Sequence, residues 1–136
     1  MPGNNTLDRS AFSVLQSAWQ EKNIPANQTD KKMALCGCNA IKTQEIQRNA
    51  TPITVLAQIS AVVATGSITF FLVINGVKTN KSIVMNNTSG KKERIKIQPG
   101  KILLTKGDDI EIWYSTTADF TPTTLEAFIS VEAQWY

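Results

Sequence analysis

From about residue 31 onward the chain is a succession of short runs rich in Val, Ile, Thr, Phe, Trp and Tyr, each ended by Gly, Pro or Asn. That punctuation constrains the fold more than any other feature. β-Branched and aromatic residues suit a pleated surface, the breakers mark turns, and no stretch is left for a helix of useful length. The runs predict strands over Lys32–Asn39, Ala40–Arg48, Ile53–Val63, Ser67–Ile74, Lys78–Met85, Lys92–Gln98, Lys101–Leu104, Asp109–Ser115 and Leu125–Trp135. Short strands at this spacing, without intervening helices, imply an all-β chain: an antiparallel jelly-roll β-sandwich.

Alternation is clearest in Arg94-Ile95-Lys96-Ile97-Gln98 and Ile110-Glu111-Ile112-Trp113-Tyr114, where the isoleucines share one face. Such strands have one buried side and one that faces water or a partner. Phe70-Phe71-Leu72-Val73-Ile74 is continuously apolar, as expected of a strand covered on both faces. Asn75-Gly76 tolerates positive φ at both positions and predicts a tight hairpin into Val77. Pro99-Gly100 and Lys106-Gly107-Asp108 read as further turns.

The first 30 residues differ. Leu7, Ala11, Val14, Leu15, Ala18 and Trp19 recur at helical spacing, with Thr6 placed to cap, and predict one short helix over Leu7–Lys22. A strand through Phe12 and Val14 competes with it. Asn23–Asp30 is a loop, since Pro25 biases Ile24 to extended geometry. The division expected is an N-terminal arm over 1–30 and a sandwich domain over 31–136.

At 136 residues and 42% apolar the chain can bury a core without disulfides or metals. Its apolar runs fall short of the roughly 18 residues needed to span a bilayer. Met1–Thr6 has no basic flank followed by an apolar run, so no secretory signal is expected. The net charge of +3 hides an uneven distribution. Residues 78–106 carry eight basic groups and one acidic, whereas residues 107–136 carry no basic group and six acidic. No aromatic is interleaved among Lys78, Lys81, Lys91, Lys92, Arg94, Lys96, Lys101 and Lys106, so bases have no stacking platform and nucleic acid is not an expected partner. Neutralisation between the blocks is favoured, with Lys92, Arg94 and Lys96 paired to Asp108–Glu111, Glu126 or Glu132.

Catalytic chemistry finds little support. The chain has no His, which removes the commonest general base and metal ligand. No G-x-S-x-G or phosphate-binding glycine loop occurs. Asp108, Asp109 and Glu111, with Asp119 beyond them, are the densest carboxylates, but Gly107-Asp108 reads better as a turn than as a cation site. Cys36 and Cys38 flank Gly37; on a strand they point to the same side, poorly placed to bridge each other, and two half-buried free thiols are the favoured reading. Neither a metal nor another cofactor is expected, and no enzyme activity. Trp19, Trp113, Trp135, Tyr114 and Tyr136 could stack on sugars, but packing in the core or an interface is favoured.

The hairpin Phe70–Val77, the turn Pro99-Gly100, the phrase Ile102-Leu103-Leu104-Thr105-Lys106-Gly107-Asp108-Asp109-Ile110-Glu111-Ile112-Trp113-Tyr114 and the terminal strand Phe128–Tyr136 together resemble the compact jelly roll of tumour-necrosis-factor and complement-type trimers. They resemble more particularly the small jelly-roll proteins of tailed-phage virions. The resemblance covers Pro52 to Tyr136 and implies a homotrimer packed about a three-fold axis, with Phe71, Val73, Trp113, Tyr114, Trp135 and Tyr136 as expected interface residues. It implies a virion component made in the host cytoplasm: a capsid decoration (cement) protein, or alternatively a fibre tip or adhesin that binds host-surface carbohydrate. The implied partners are further copies of the chain and a major capsid protein or fibre shaft. In such proteins the segment outside the jelly roll often makes the attachment, which assigns capsid attachment to Leu7, Phe12, Val14, Leu15 and Trp19.

Overall fold

The computed structural model of the chain describes residues 14–38 and 40–136, with side chains from Gln16 onward. Among the described residues ten strands form two antiparallel sheets: β1 (Val14–Glu21), β2 (Lys31–Lys32), β3 (Ala34–Leu35), β4 (Gln44–Glu45), β5 (Ala50–Ile59), β6 (Ile68–Ile74), β7 (Val77–Met85), β8 (Lys92–Lys96), β9 (Asp109–Thr116) and β10 (Ala127–Trp135). One sheet runs β3-β1-β10-β5-β8, and the other β2-β9-β6-β7 with β4 also paired to β9. The all-β jelly-roll expectation holds. Among the described residues no helix is long and apolar enough to cross a membrane.

The core lies between the sheets and is built from alternating positions. Ile68, Phe70 and Leu72 of β6, Ile110, Ile112 and Tyr114 of β9, and Ala127, Ile129 and Val131 of β10 all point inward and are buried. Phe120 and Leu125 close one end from the loop that joins β9 to β10. Burial also pushes the Tyr114 hydroxyl above its ordinary pKa, with the Glu21 charge as a second cause. Asn75 and Gly76 both have positive φ, 51° and 79°, so the β6–β7 hairpin forms as its sequence requires. Asn75 also serves the neighbouring turn: its Oδ1 accepts the Asp109 N–H at 2.9 Å and its Nδ2 donates to Asp108 at 3.1 Å.

The N-terminal expectation changes most. Residues Val14–Glu21 form a strand paired with β10 along its whole length and with β3 at Trp19 and Gln20. Within the described residues the strand reading therefore replaces the helix over Leu7–Lys22; residues 7–13 lie outside them. β1, which falls within the expected arm over 1–30, lies inside the β3-β1-β10-β5-β8 sheet. The helical spacing misled because Trp19, 0% exposed, reaches the core from a strand just as it would from a helix. A lone large side chain carries no period.

Three expected strands shrink. Lys32–Asn39 is interrupted by a turn at Cys36-Gly37, Ala40–Arg48 keeps only Gln44–Glu45, and Lys101–Leu104 contributes one isolated bridge, Ala50 to Leu104. These segments lie along sheet edges, where a β-rich composition meets only a short length of partner to pair with.

Candidate functional site

Two outward faces are available, one on each sheet. On the β2-β9-β6-β7 sheet the outer positions are Phe71 and Val73 of β6 and Glu111 and Trp113 of β9, with Phe71 opposite Trp113 and Val73 opposite Glu111. The chain covers much of this face itself. Glu111 is only 7% exposed; its carboxylate accepts from Thr43 Oγ1 at 2.5 Å and from Trp113 Nε1 at 2.8 Å, and Lys32 Nζ lies 3.8 Å away. Lys78 sits over the Phe71 ring, 4.5 Å from its centroid, and its ammonium pairs with Asp30 at 3.0 Å. A buried carboxylate needs such partners. Asp30, Lys32 and Thr43, on or beside the edge strands β2 and β4, thus strap the outer surface of the sheet with their side chains.

The β3-β1-β10-β5-β8 sheet has no comparable cover among the described residues. The register places its outward side chains in three rows: Gln16, Glu132, Thr54 and Lys96; Ala18, Ser130, Leu56 and Arg94; Gln20, Phe128, Gln58 and Lys92. The middle row is small and flat apart from Arg94. Phe128, 37% exposed, is an outward aromatic. Gln16, Thr54, Leu56, Arg94, Ser130 and Glu132 line a shallow recess at the centre.

The expected pairing of Lys92, Arg94 and Lys96 is not found. All three are exposed, and the described residues hold only two ion pairs, Lys32–Glu111 and Lys78–Asp30. β8 is the outermost strand, and β5 separates it from Glu132 on β10 by two strand spacings, about 9–10 Å. Asp108–Glu111 belong to the other sheet. Adjacency in sequence did not translate into contact because the β8–β9 connection crosses between sheets.

The acidic group is also dispersed. Asp108 closes its turn by accepting the Thr105 N–H at 2.8 Å; that bond first, and the Asn75 side chain second, hold its carboxyl below the usual range. Glu111 belongs to the strapped face. Asp119 lies past the far end of β9, an eight-residue strand about 25 Å long. Among the described residues no group of three or more His, Cys, Asp or Glu is arranged to hold a metal.

The residues expected at a trimer interface do not form one patch. Phe71 and Trp113 are half-buried on the strapped face, and Val73 and Tyr114 are buried within the chain. Trp135 is half-buried at the end of β10 with the Arg48 guanidinium 5.0 Å from its ring centroid, and Tyr136 beside it is exposed. Of the expected attachment residues, Leu7 and Phe12 lie outside the described residues, and Val14 and Leu15 are on β1. Trp19 is a correction: it is fully buried and its indole N–H donates to the Lys42 carbonyl at 2.9 Å, so it has no surface to offer. The tryptophans lie in three separate places, so they make no shared sugar platform. Sequence reasoning missed the outward grouping of Ala18, Ser130 and Leu56 in one row, with Phe128 in the next, because residues scattered over three strands carry no local signal.

No protein-family model matches this chain, and no curated protein matches it. Solved structures do. The globular domain of zebrafish complement 1qA protein superposes with a TM-score of 0.50 at 11% identity, covering 88% of this chain and 96% of that one. PRD1 vertex protein P5 gives 0.48 at 8% identity over 89% and 96%, and turnip yellow mosaic virus gives 0.39 at 9% over 90% and 93%. At such identities likeness speaks for fold alone. The chain therefore has a jelly-roll sandwich like that of the complement globular domain.

Proposed function

We propose that this chain is a non-catalytic structural protein of a virion, a homotrimeric capsid decoration protein made in the host cytoplasm. The observation that carries the assembly part is the uncovered outer face of the β3-β1-β10-β5-β8 sheet. Its small central residues permit close approach, Phe128 offers an apolar anchor, and Arg94 and Glu132 present opposite charges that the single chain leaves apart. Copies turned about a common axis can bring these charges together. The virion part rests on the sequence resemblance to small phage jelly rolls. Residues 1–13 are then the attachment segment, with Leu7 and Phe12 as its apolar contacts.

Two expected results test this. Light scattering at micromolar concentration gives three times the single-chain mass, and Arg94→Glu shifts the population toward monomer, more strongly at low than at high salt. Because Arg94 makes no ion pair with a described residue, the same change leaves the stability of the separated chain within about 0.5 kcal/mol of the original. A single-chain mass for the unaltered protein rejects the trimer. Separately, capsids prepared without the protein are incubated with the full chain and with residues 14–136, which retain every described strand. The full chain is expected to bind and the shortened one to lose binding at least about tenfold. Equal binding by both removes the attachment role of residues 1–13. Saturable carbohydrate binding without capsid binding favours the fibre-tip or adhesin reading instead.

A further inference from the structure

Cys36 and Cys38 stand at the edge of the uncovered sheet, just past β3, and the structure overturns both premises of the inert reading. They are exposed, not half-buried, and they lie on a turn instead of a strand. Leu35-Cys36-Gly37-Cys38 is a β-turn in which the Cys38 N–H donates to the Leu35 carbonyl at 3.0 Å. Gly37 sits at φ 85°, the left-handed value that the third position of a type II turn requires. The turn is tied down on both sides. Cys36 N–H donates to the Ala18 carbonyl of β1 at 2.9 Å, Ile41 N–H donates to the Cys38 carbonyl at 3.1 Å, and Leu35 N–H donates to Ile41 at 2.8 Å. The Cys36 thiol donates to Gln20 Oε1 at 3.7 Å, and a shallow recess lined by Gln20, Glu21, Lys22 and Gly37 opens beside the turn.

We propose that this turn is a chelating site for a soft, thiophilic cation of the Cu(I) class, held by the two sulfurs. Thiolates select soft ions over the hard cations that prefer oxygen. Two donors on one fixed turn bind as a unit, since the second sulfur reaches the ion at high effective concentration. A closed four-ligand zinc site is out of reach of this turn, because the chain has no His and exactly two Cys. Each thiol gives up its proton as its sulfur–metal bond forms, so two protons leave per ion, the metal keeps its oxidation state and binding weakens as pH falls. A disulfide would instead need the sulfurs in bonding contact and an oxidant to take two electrons.

Reduced full-length protein, titrated anaerobically with Cu(I) against a competing chelator, is expected to take up one ion per chain, and the ion protects both cysteines from alkylation. Cys36→Ser and Cys38→Ser each weaken binding at least about 100-fold, by removing one of two linked ligands. Gly37→Val keeps both thiols but strains the turn, and weakens binding at least tenfold while both cysteines still react fully with alkylating reagent in the absence of metal. Far-UV circular dichroism checks that each variant remains folded. Fewer than one ion per chain, one ion shared between two chains, or single-serine variants that bind like the original protein would each overturn the site.

Discussion

Trp19→Ala is expected to destabilise the fold by about 3–5 kcal/mol, the usual cost of emptying a large aromatic site in a core. Against a total stability of roughly 5–15 kcal/mol this is a large fraction, and it should lower the thermal midpoint by roughly 10–20 °C. Trp19 is 0% exposed, stands opposite Ile129 on β10 and Leu35 on β3, and donates its indole N–H to the Lys42 carbonyl at 2.9 Å. It therefore fills the core and also holds the Lys42 segment, where β4 provides only two residues of pairing. Trp19→Phe separates the two contributions. It restores most of the buried ring but leaves the Lys42 carbonyl without this donor, at a cost of about 1–3 kcal/mol. The same experiment decides between core and attachment roles. Burial predicts that Trp19→Ala melts early yet, while folded, binds capsids like the unaltered chain. Unchanged melting with lost capsid binding would show instead that Trp19 is a contact residue.

The second large effect is expected at Gly66. Its φ is 69°, and a Cβ built there lies 2.2 Å from Thr117 Oγ1, 2.6 Å from Asp119 Oδ1 and 2.9 Å from the Phe120 Cα. The two side-chain atoms can swing away; the Phe120 backbone cannot do so without moving the ring that closes the core. Left-handed strain of about 1–2 kcal/mol adds to an overpacking cost of about 1–3 kcal/mol, so Gly66→Ala should destabilise by roughly 2–5 kcal/mol. Gly90→Ala is the control. Its φ is 74°, but nothing lies within 4 Å of its Cβ, so only the backbone strain of about 1–2 kcal/mol remains. Chemical denaturation of both variants checks the difference. Equal losses at the two positions would mean that the loop around Gly66 yields freely and does not brace Phe120.

The strands that pair along most of their length were legible because their information is local. β6, β9 and β10 each alternate or run apolar between breakers, and Asn75-Gly76 specifies a hairpin through its own φ preferences. The turn role of Asp108 was legible for the same reason: its carboxylate bonds the N–H of Thr105, three residues back. The fate of Trp19 was not, since helix and strand both deliver one large residue to a core, and only eight pairings with β10 decide for the strand.

What the sequence determined alone was the class of fold and the poverty of catalytic groups: β-branched runs, turn residues and the lack of His follow from residue identity. Tertiary structure decided everything that depends on which strands become neighbours. It set Lys92, Arg94 and Lys96 on an edge strand where they form no ion pair with Glu132, buried Glu111 beneath the strap that carries Thr43, and raised Cys36 and Cys38 onto an exposed turn. The reason is physical. A turn or an amphipathic strand is selected by interactions a few residues long, whereas strand order is selected by the burial of two whole sheets against each other, an energy that no single segment contains.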